Sequence, residues 1–463
     1  MFFLWPLVPF FYLLARLVLP ARLGAGAKIG CALLLLVITQ AFAINRFLLG
    51  DLAAPDLPPW LLMLQGWLFA SSLLLFVLVL LRDLLRLLRA AGRAMTRRFR
   101  ARAARPAAAP LPTSPSRRRL LRAGCGGLLL AAPAERIALG AAVLGPTAWG
   151  VGEAVAVPAV RGHEVAVRRL PPELDGLRVA QISDLHMSSL LRRDWVAAVV
   201  DLTNAQRPDL IVLTGDMVDG PPRARKECAA ELRRLAAPLG VLACVGNHEY
   251  YSGYAAWVEV FRELGLHMLL NGHSTLAVNG RELVVAGVTD PVAETFGLPG
   301  PDLEAALAGA PETAPRILLE HRPGMAPRSS RQGVDLQLSG HTHGGQAPGL
   351  RELVSTFNNG FLRGWYEVEG MPLYVSPGAG LWGGFPIRIA TPSEIAVFTL
   401  RAGRVSEAAP GLAMPSGRDQ NVFARKSRKR PADAGADAAP DYGGKPRFSA
   451  ACPALRGKDG SET

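Results

Sequence analysis

Cysteine is scarce in this chain of 463 residues. The five, Cys31, Cys125, Cys228, Cys244 and Cys452, are too few and too scattered for a disulfide framework. None stands in a Cys-x-x-Cys pair, which excludes a thiolate zinc ribbon. Charge is thin as well, at 19% against a soluble norm of about 25%. Half of the residues are hydrophobic and mean hydropathy is +0.21, which excludes a wholly disordered chain and disfavours a purely soluble one. The net charge of +13 would point to nucleic acid or an anionic surface if it were spread along the chain. It is not spread. Residues 82–122 hold 13 arginines and one acid, Asp83, so the remainder is close to neutral. That stretch has a single aromatic, Phe99, and no stacking series, so the expected contact is anionic lipid and not nucleic acid.

Long apolar runs fill the first 155 residues. Residues 60–81 carry no charge over 22 positions, and a helix of that length spans about 33 Å. Residues 2–19 are apolar apart from Arg16, and residues 29–49 apart from Gln40, Asn45 and Arg46. A fourth stretch, 124–151, is interrupted by Glu135 and Arg136. The run Ser116-Arg117-Arg118-Arg119-Leu120-Leu121 before it has the look of a twin-arginine signal, and its position after three other spans reads as an internal start-transfer helix. The arginine excess predicts a cytoplasmic loop over 82–122. Four spans then place everything after about 155 on the outer side; three would leave it in the cytoplasm.

Beyond 155 the pattern changes. Short β-branched runs at 177–183, 210–214, 240–245, 283–286, 316–320 and 336–338 read as strands buried on both faces. Helical spacing over 194–206, 225–237 and 255–264 separates them, which indicates an α/β domain. Chemistry stands at the strand ends: Asp184-x-His186, Gly215-Asp216-x-x-Asp219, Gly246-Asn247-His248-Glu249, His321 and Gly340-His341-x-His343. Open α/β sheets gather ligands at those ends, so the motifs should converge. A lone Asp-x-His is usually a cap or a core histidine; five such motifs in order are not. The donors are oxygen and nitrogen with no thiolate, a set that suits divalent Mn, Fe or Zn. Seven or eight of them exceed one tetrahedral centre and fit two metals sharing a carboxylate. Glycines at 215, 246 and 340 would let the backbone turn beside the metals.

This series resembles the calcineurin-like metallophosphoesterase superfamily. The Gly344-Gly345-Gln346 run and the segment from Ser376 to Arg388 look like its bacterial membrane-associated branch. The likeness covers roughly 155–402 and implies a four-layer α/β/β/α sandwich of two mixed sheets, here preceded by a helical transmembrane region. It implies two divalent ions: one held by Asp184, His186 and His343, the other by Asn247, His321 and His341, with Asp216 bridging. A bridging water would then be the nucleophile, His248 the donor to the leaving oxygen, and Asp219 an orienter of a ligand. Glu320-His-Arg-Pro departs from the Asn that relatives often carry after this histidine.

Two other residues are ambiguous. Arg388 either clamps a phosphate oxygen or pairs with Glu394 at the surface. Asp290, at a strand end before Pro291, either lines the cleft or, as the favoured reading, forms the turn. The expected domains are 1–155 in the membrane, 156–402 catalytic and 403–463 a disordered tail. The expected function is a membrane-anchored phosphohydrolase, acting on a phosphodiester or pyrophosphate and on lipid-linked or envelope substrates. It would sit in a bacterial inner membrane, multi-pass, with the catalytic domain periplasmic. The alternative is a transporter or scaffold with a regulatory esterase domain. Only Arg16, Arg46, Glu135 and Arg136 are ionisable residues inside the apolar runs to serve it.

Overall fold

The computed structural model describes residues 6–49, 55–103 and 133–403. The expected tail from 404, the arginines at 105–122 and the twin-arginine run lie outside them.

The apolar runs form helices α1 (Leu7–Leu13, continued by a π-turn to Val18), α2 (Ala25–Thr39), α3 (Ala41–Leu49), α4 (Pro59–Ala103) and α5 (Pro133–Val155). Two of these depart from expectation. The span predicted over 29–49 breaks at Gln40, whose backbone leaves the helical region (φ −103°, ψ 11°) and separates α2 from α3. The predicted arginine-rich loop is helical as far as Ala103, because Leu, Ala and Arg are strong helix formers and no proline intervenes before Pro106. The fourth apolar segment is helical from Pro133 onward. Among the described residues, one helix, within α4, is long and apolar enough to cross a membrane. Its first turns lie against the catalytic domain, where Gly66 meets Pro386. At 1.5 Å per residue, Arg82 sits about 24 Å further along the axis.

From Ala159 the chain builds two six-stranded mixed sheets. The first has the order β1 (Ala159–Val167), β12 (Glu394–Ala402), β2 (Arg178–Ile182), β3 (Leu210–Thr214), β4 (Val241–Cys244) and β5 (His267–Met268). The second runs β10 (Gly364–Val368), β11 (Met371–Val375), β9 (Leu336–Ser339), β8 (Arg316–Leu319), β7 (Arg281–Gly287) and β6 (Gly272–Val278). β2, β3 and β4 are parallel in register, as are β7, β8 and β9. Such strands are covered on both faces, which is why they read as unbroken apolar runs.

The sheets face each other across one core of Val179, Leu210, Val212 and Leu242 from the first and Val285, Ile317, Leu319 and Leu338 from the second. The outer face of the first sheet buries Ile182, Ile211 and Leu213 against α6 (Arg193–Ala205), α7 (Pro222–Ala229) and α8 (Asn247–Glu263), with Trp257 and Phe261 fully enclosed. The second sheet's outer face is covered by Leu303 and Ala306 from one short helix and Ala326 from another. Four layers result, α/β/β/α.

Candidate functional site

The parallel strands set a common spacing. Asp184, Asp216, His321 and His341 each stand two residues past the last residue of β2, β3, β8 and β9, while Asn247 opens α8 three residues past β4. Reaching inward so soon after a strand demands an unusual backbone. Asp184 (φ 53°), His186 (47°), Asp216 (53°), His341 (73°) and His343 (48°) all occupy the left-handed region. Non-glycine residues pay of order 1 kcal/mol or more each for that conformation, and such strain persists where surrounding structure enforces it. Here Asp184 N–H donates to Gly215 O at 3.1 Å and His186 N–H to Asp216 O at 3.0 Å. Glycine is required alongside: a Cβ at Gly215 would lie 2.5 Å from Gly246 N, and one at Gly246 or Gly340 would collide with the Asp216 or Asp184 carboxylate.

These turns bring six of the seven expected ligands together, with Asn247 buried at the start of α8. His186 Nε2 faces His343 Nε2 at 3.2 Å, and His321 Nε2 faces His341 Nδ1 at 3.2 Å. Asp216 Oδ2 stands 3.1 Å from His321 Nε2 and 3.8 Å from His186 Nε2, while Asp184 Oδ1 lies 3.6 Å from His343 Nε2. Three sets have ligand atoms within 4.8 Å of one another: Asp184, His186 and His343; His186, Asp216 and His248; and Asp216, His321 and His341. His321 is oriented by Thr214 O, 2.8 Å from its Nδ1.

Asp219 lies behind these ligands and holds two rings, with Oδ1 2.6 Å from His248 Nδ1 and 3.1 Å from His186 Nδ1. Glu249 stands in the strand-end motif without a role from the sequence, and its carboxylate gathers the backbone N–H groups of Asp216 (3.0 Å), Met217 (2.6 Å) and Gly246 (2.6 Å). The signal for it was available, since a Glu three residues after the residue that precedes α8 can reach back to that residue's backbone N–H, as one half of a capping box does.

Electrostatics follow from this crowding. Burial alone would raise the Asp216 carboxyl, but the positive charge of His321, then of His248, holds it well below the usual range. Burial likewise opposes charge on His321 and His248, and nearby Asp216 outweighs it, pushing them up to about 10 and about 9. His341 and His343 are pushed down, first by burial and then by neighbouring histidine charge. Asp216 thus demands positive charge, and His341 and His343 remain neutral electron-pair donors.

The donor set fits divalent ions. Facing imidazole nitrogens cannot both keep a proton at 3.2 Å, and Asn247 Oδ1 and His343 Nδ1 are buried with no hydrogen-bond partner. Such atoms ask for a cation.

Arg388 corrects both of its sequence readings. It is fully buried, and its Nη2 donates to the carbonyls of Pro377 (2.8 Å), Gly378 (3.3 Å) and Gly380 (2.6 Å), so it braces a loop and does not clamp phosphate. Glu394 accepts instead from the Tyr374 hydroxyl. Asp290 caps the turn Pro291–Phe296, accepting from Val292 N–H, and pairs with Arg322 at 2.7 Å, which explains the unusual residue after His321. Beside His248 lies a half-exposed aromatic, Tyr251, 5.4 Å from it between ring centres and 6.1 Å from Phe296; neither was anticipated.

Comparison with known proteins agrees with this geometry. The calcineurin-like phosphoesterase family matches residues 177–345. A zebrafish protein described as "Transmembrane protein with metallophosphoesterase domain" is 34% identical over 55% of this chain and 60% of its own length. YkuE of Bacillus subtilis, an uncharacterized metallophosphoesterase, is 32% identical over 52% of this chain and 84% of its own. An uncharacterized metallophosphoesterase of Aquifex aeolicus is 33% identical, over 52% and 91%. This chain spans about three-fifths of the length of the vertebrate relatives it matches.

Proposed function

From the premise that this chain belongs to the calcineurin-like phosphoesterase family and is a metal-dependent phosphoesterase, we propose that it is a membrane-anchored two-metal phosphohydrolase. The observation that carries the reading is the convergence of five strand-end motifs with Asp216 shared between ligand sets. Asp184, His186 and His343 would hold one ion of the Mn, Fe or Zn type, and Asn247, His321 and His341 the other, with Asp216 between them. Ions bound there supply an acidified water for in-line attack and neutralise the phosphoryl oxygens.

The remaining work falls to the chain's own groups. Asp219 accepts from His248 Nδ1 and so turns Nε2 toward the centre, 4.0 Å from Asp216 Oδ2. Held protonated by the two aspartates, His248 is a donor to the leaving oxygen of the ester. Asp219 also fixes His186 in the orientation that points its Nε2 inward.

Several features favour a membrane setting: the apolar run of α4, and relatives in zebrafish and cattle described as transmembrane proteins. The arginines of α4 lie at the end away from the sandwich, so the positive-inside rule favours several spans with the catalytic domain on the extracytoplasmic side of a cell membrane. Lipid-linked or envelope phosphodiesters and pyrophosphates are then the substrates within reach. The transporter reading loses a candidate relay residue, because Arg16 is engaged by Asp83 at 2.5 Å.

The test is hydrolysis of a generic phosphodiester and a phosphomonoester by the full chain in detergent, with Mn, Zn or chelator. Metal-dependent turnover should fall by about a thousandfold or more in Asp216→Asn with folding intact. Unchanged turnover in that variant would sink the two-metal assignment. Reporter fusions at 51, 105 and 402 test the orientation, and a cytoplasmic signal at 402 would reverse it.

A further inference from the structure

Residues 377–389 border the centre on one side and rest on the membrane helices on the other. Toward the centre, Ala379 N–H donates to Ser183 O (2.8 Å), Gly380 N–H to Asp184 O (2.9 Å), and Gly383 N–H reaches Asp219 Oδ2 at 3.4 Å. Toward the helices, Arg388 N–H donates to Gly150 O of α5 at 2.8 Å. Phe385 meets Phe69 of α4 edge-on, with ring centres 5.5 Å apart, and Phe42 of α3 at 6.0 Å. Phe385 and Ile387 are buried together with Phe69 and Ala70. The Arg388 guanidinium ties the two ends of the segment together through the Pro377, Gly378 and Gly380 carbonyls.

Two glycines make room for this seat. A Cβ at Gly66 of α4 would lie 2.8 Å from Pro386 Cγ, and one at Gly150 of α5 would lie 2.7 Å from Ile389 Cγ1 and 3.0 Å from Ile387 Cγ1. Both glycines have helical backbone, so what they supply is space. By contrast, Gly92 of α4 and Gly140, Gly145 and Gly152 of α5 have nothing within 4 Å of where a Cβ would stand. The notches therefore coincide with points where the segment touches the helices.

We propose that α4 and α5 belong to the active site: by seating Pro386 and Ile389 in notches at Gly66 and Gly150, they position residues 377–389 and, through Gly383, the Asp219–His248 pair. Gly66 and Gly150 are positioning residues. The inference rests on the proposed role of His248, and the anchor becomes a working part of the enzyme.

The full chain in lipid nanodiscs tests it. Gly150→Val should lower kcat on a generic phosphodiester about tenfold while KM and metal content hold, and adding Ile389→Ala should restore most of the loss. Gly152→Val, on the open face, should leave kcat unchanged. Hydrogen exchange of peptides covering 377–389 reads the seat without any turnover. It should speed up in Gly150→Val and slow again with Ile389→Ala, even if the phosphohydrolase reading has failed. Exchange and kcat in Gly150→Val equal to those in Gly152→Val would overturn the proposal, as would a loss that Ile389→Ala does not relieve. Should Gly150→Val not accumulate folded, Gly66→Ala with and without Pro386→Ala poses the same question at the other notch, and absence of rescue there contradicts it equally.

Discussion

The helical region and the sandwich are stabilised by inverted chemistry. In the sandwich, apolar side chains fill the interior, as with Leu213, Trp257 and Phe261, and ion pairs such as Arg401–Glu164 and Lys226–Glu263 lie outside. Among the helices, large apolar residues face outward, Leu33, Leu34, Val37, Leu80 and Leu81 among them. The polar groups there meet between helices instead: Tyr12 and Arg16 with Asp83, Asn45 with Gln65 at 3.0 Å, and Ser71 with Thr147 at 2.8 Å. On the proposed membrane reading, the difference reflects two solvents. Water drives the sandwich's leucines inward, whereas lipid gives helices no hydrophobic reason to associate and leaves polar contacts and close packing to hold them.

This contrast can be broken in measurable ways. Phe261→Ala in the sandwich should cost about 3–5 kcal/mol, read by chemical denaturation of the full chain, because the cavity it leaves is fully enclosed. The same truncation at outward-facing Leu34 should leave that transition unmoved. Equal costs at the two sites would mean that the helices fold as a water-excluded core and not as lipid-facing elements.

A second prediction concerns a buried acid in the sandwich. Burial pushes the Glu320 carboxyl up to about 8 from the usual 4.5, with Gln337 Nε2 and Met325 N–H as its partners. The folded chain therefore keeps a proton that the unfolded chain releases. That contribution to stability is complete below 4.5 and is lost as pH rises through 8. Glu320→Gln has no such loss, so its stability relative to the parent should improve as pH rises through that window. A pH-independent difference would place a charged carboxylate in the core.

The smallest effect lies between the helices. Ser71→Ala removes the hydrogen bond to Thr147 and should cost about 0.6 kcal/mol, the usual scale for such pairs in lipid, measured by helix dissociation in detergent.

What was legible in the sequence divides along the same line. Strands β2, β3, β8 and β9 were readable because parallel strands buried on both faces leave continuous apolar runs, and their ends located the ligands. β1 and β6 lie at sheet edges, and both carry runs without apolar side chains, Arg161-Gly-His-Glu164 and Gly272-His-Ser-Thr275, so neither was anticipated. β10–β12 were not read as strands either, although β12 carries the apolar run Ile395-Ala-Val-Phe398. Arg388 misled because a guanidinium beside glycines looks like a phosphate clamp, and nothing local reveals that carbonyls of its own loop surround it. The seat on α4 and α5 was invisible for a similar reason: Gly66 and Gly150 differ from other helix glycines only in what lies across from them.

The central claim is that the strand-end residues hold two divalent ions. Metal analysis of the full chain purified without chelator, after loading with Mn or Zn, tests it most directly. The account predicts two ions per chain, with Asp216→Asn reducing the content at both sites because its carboxylate is shared. One ion per chain, or two that persist in Asp216→Asn, would contradict it.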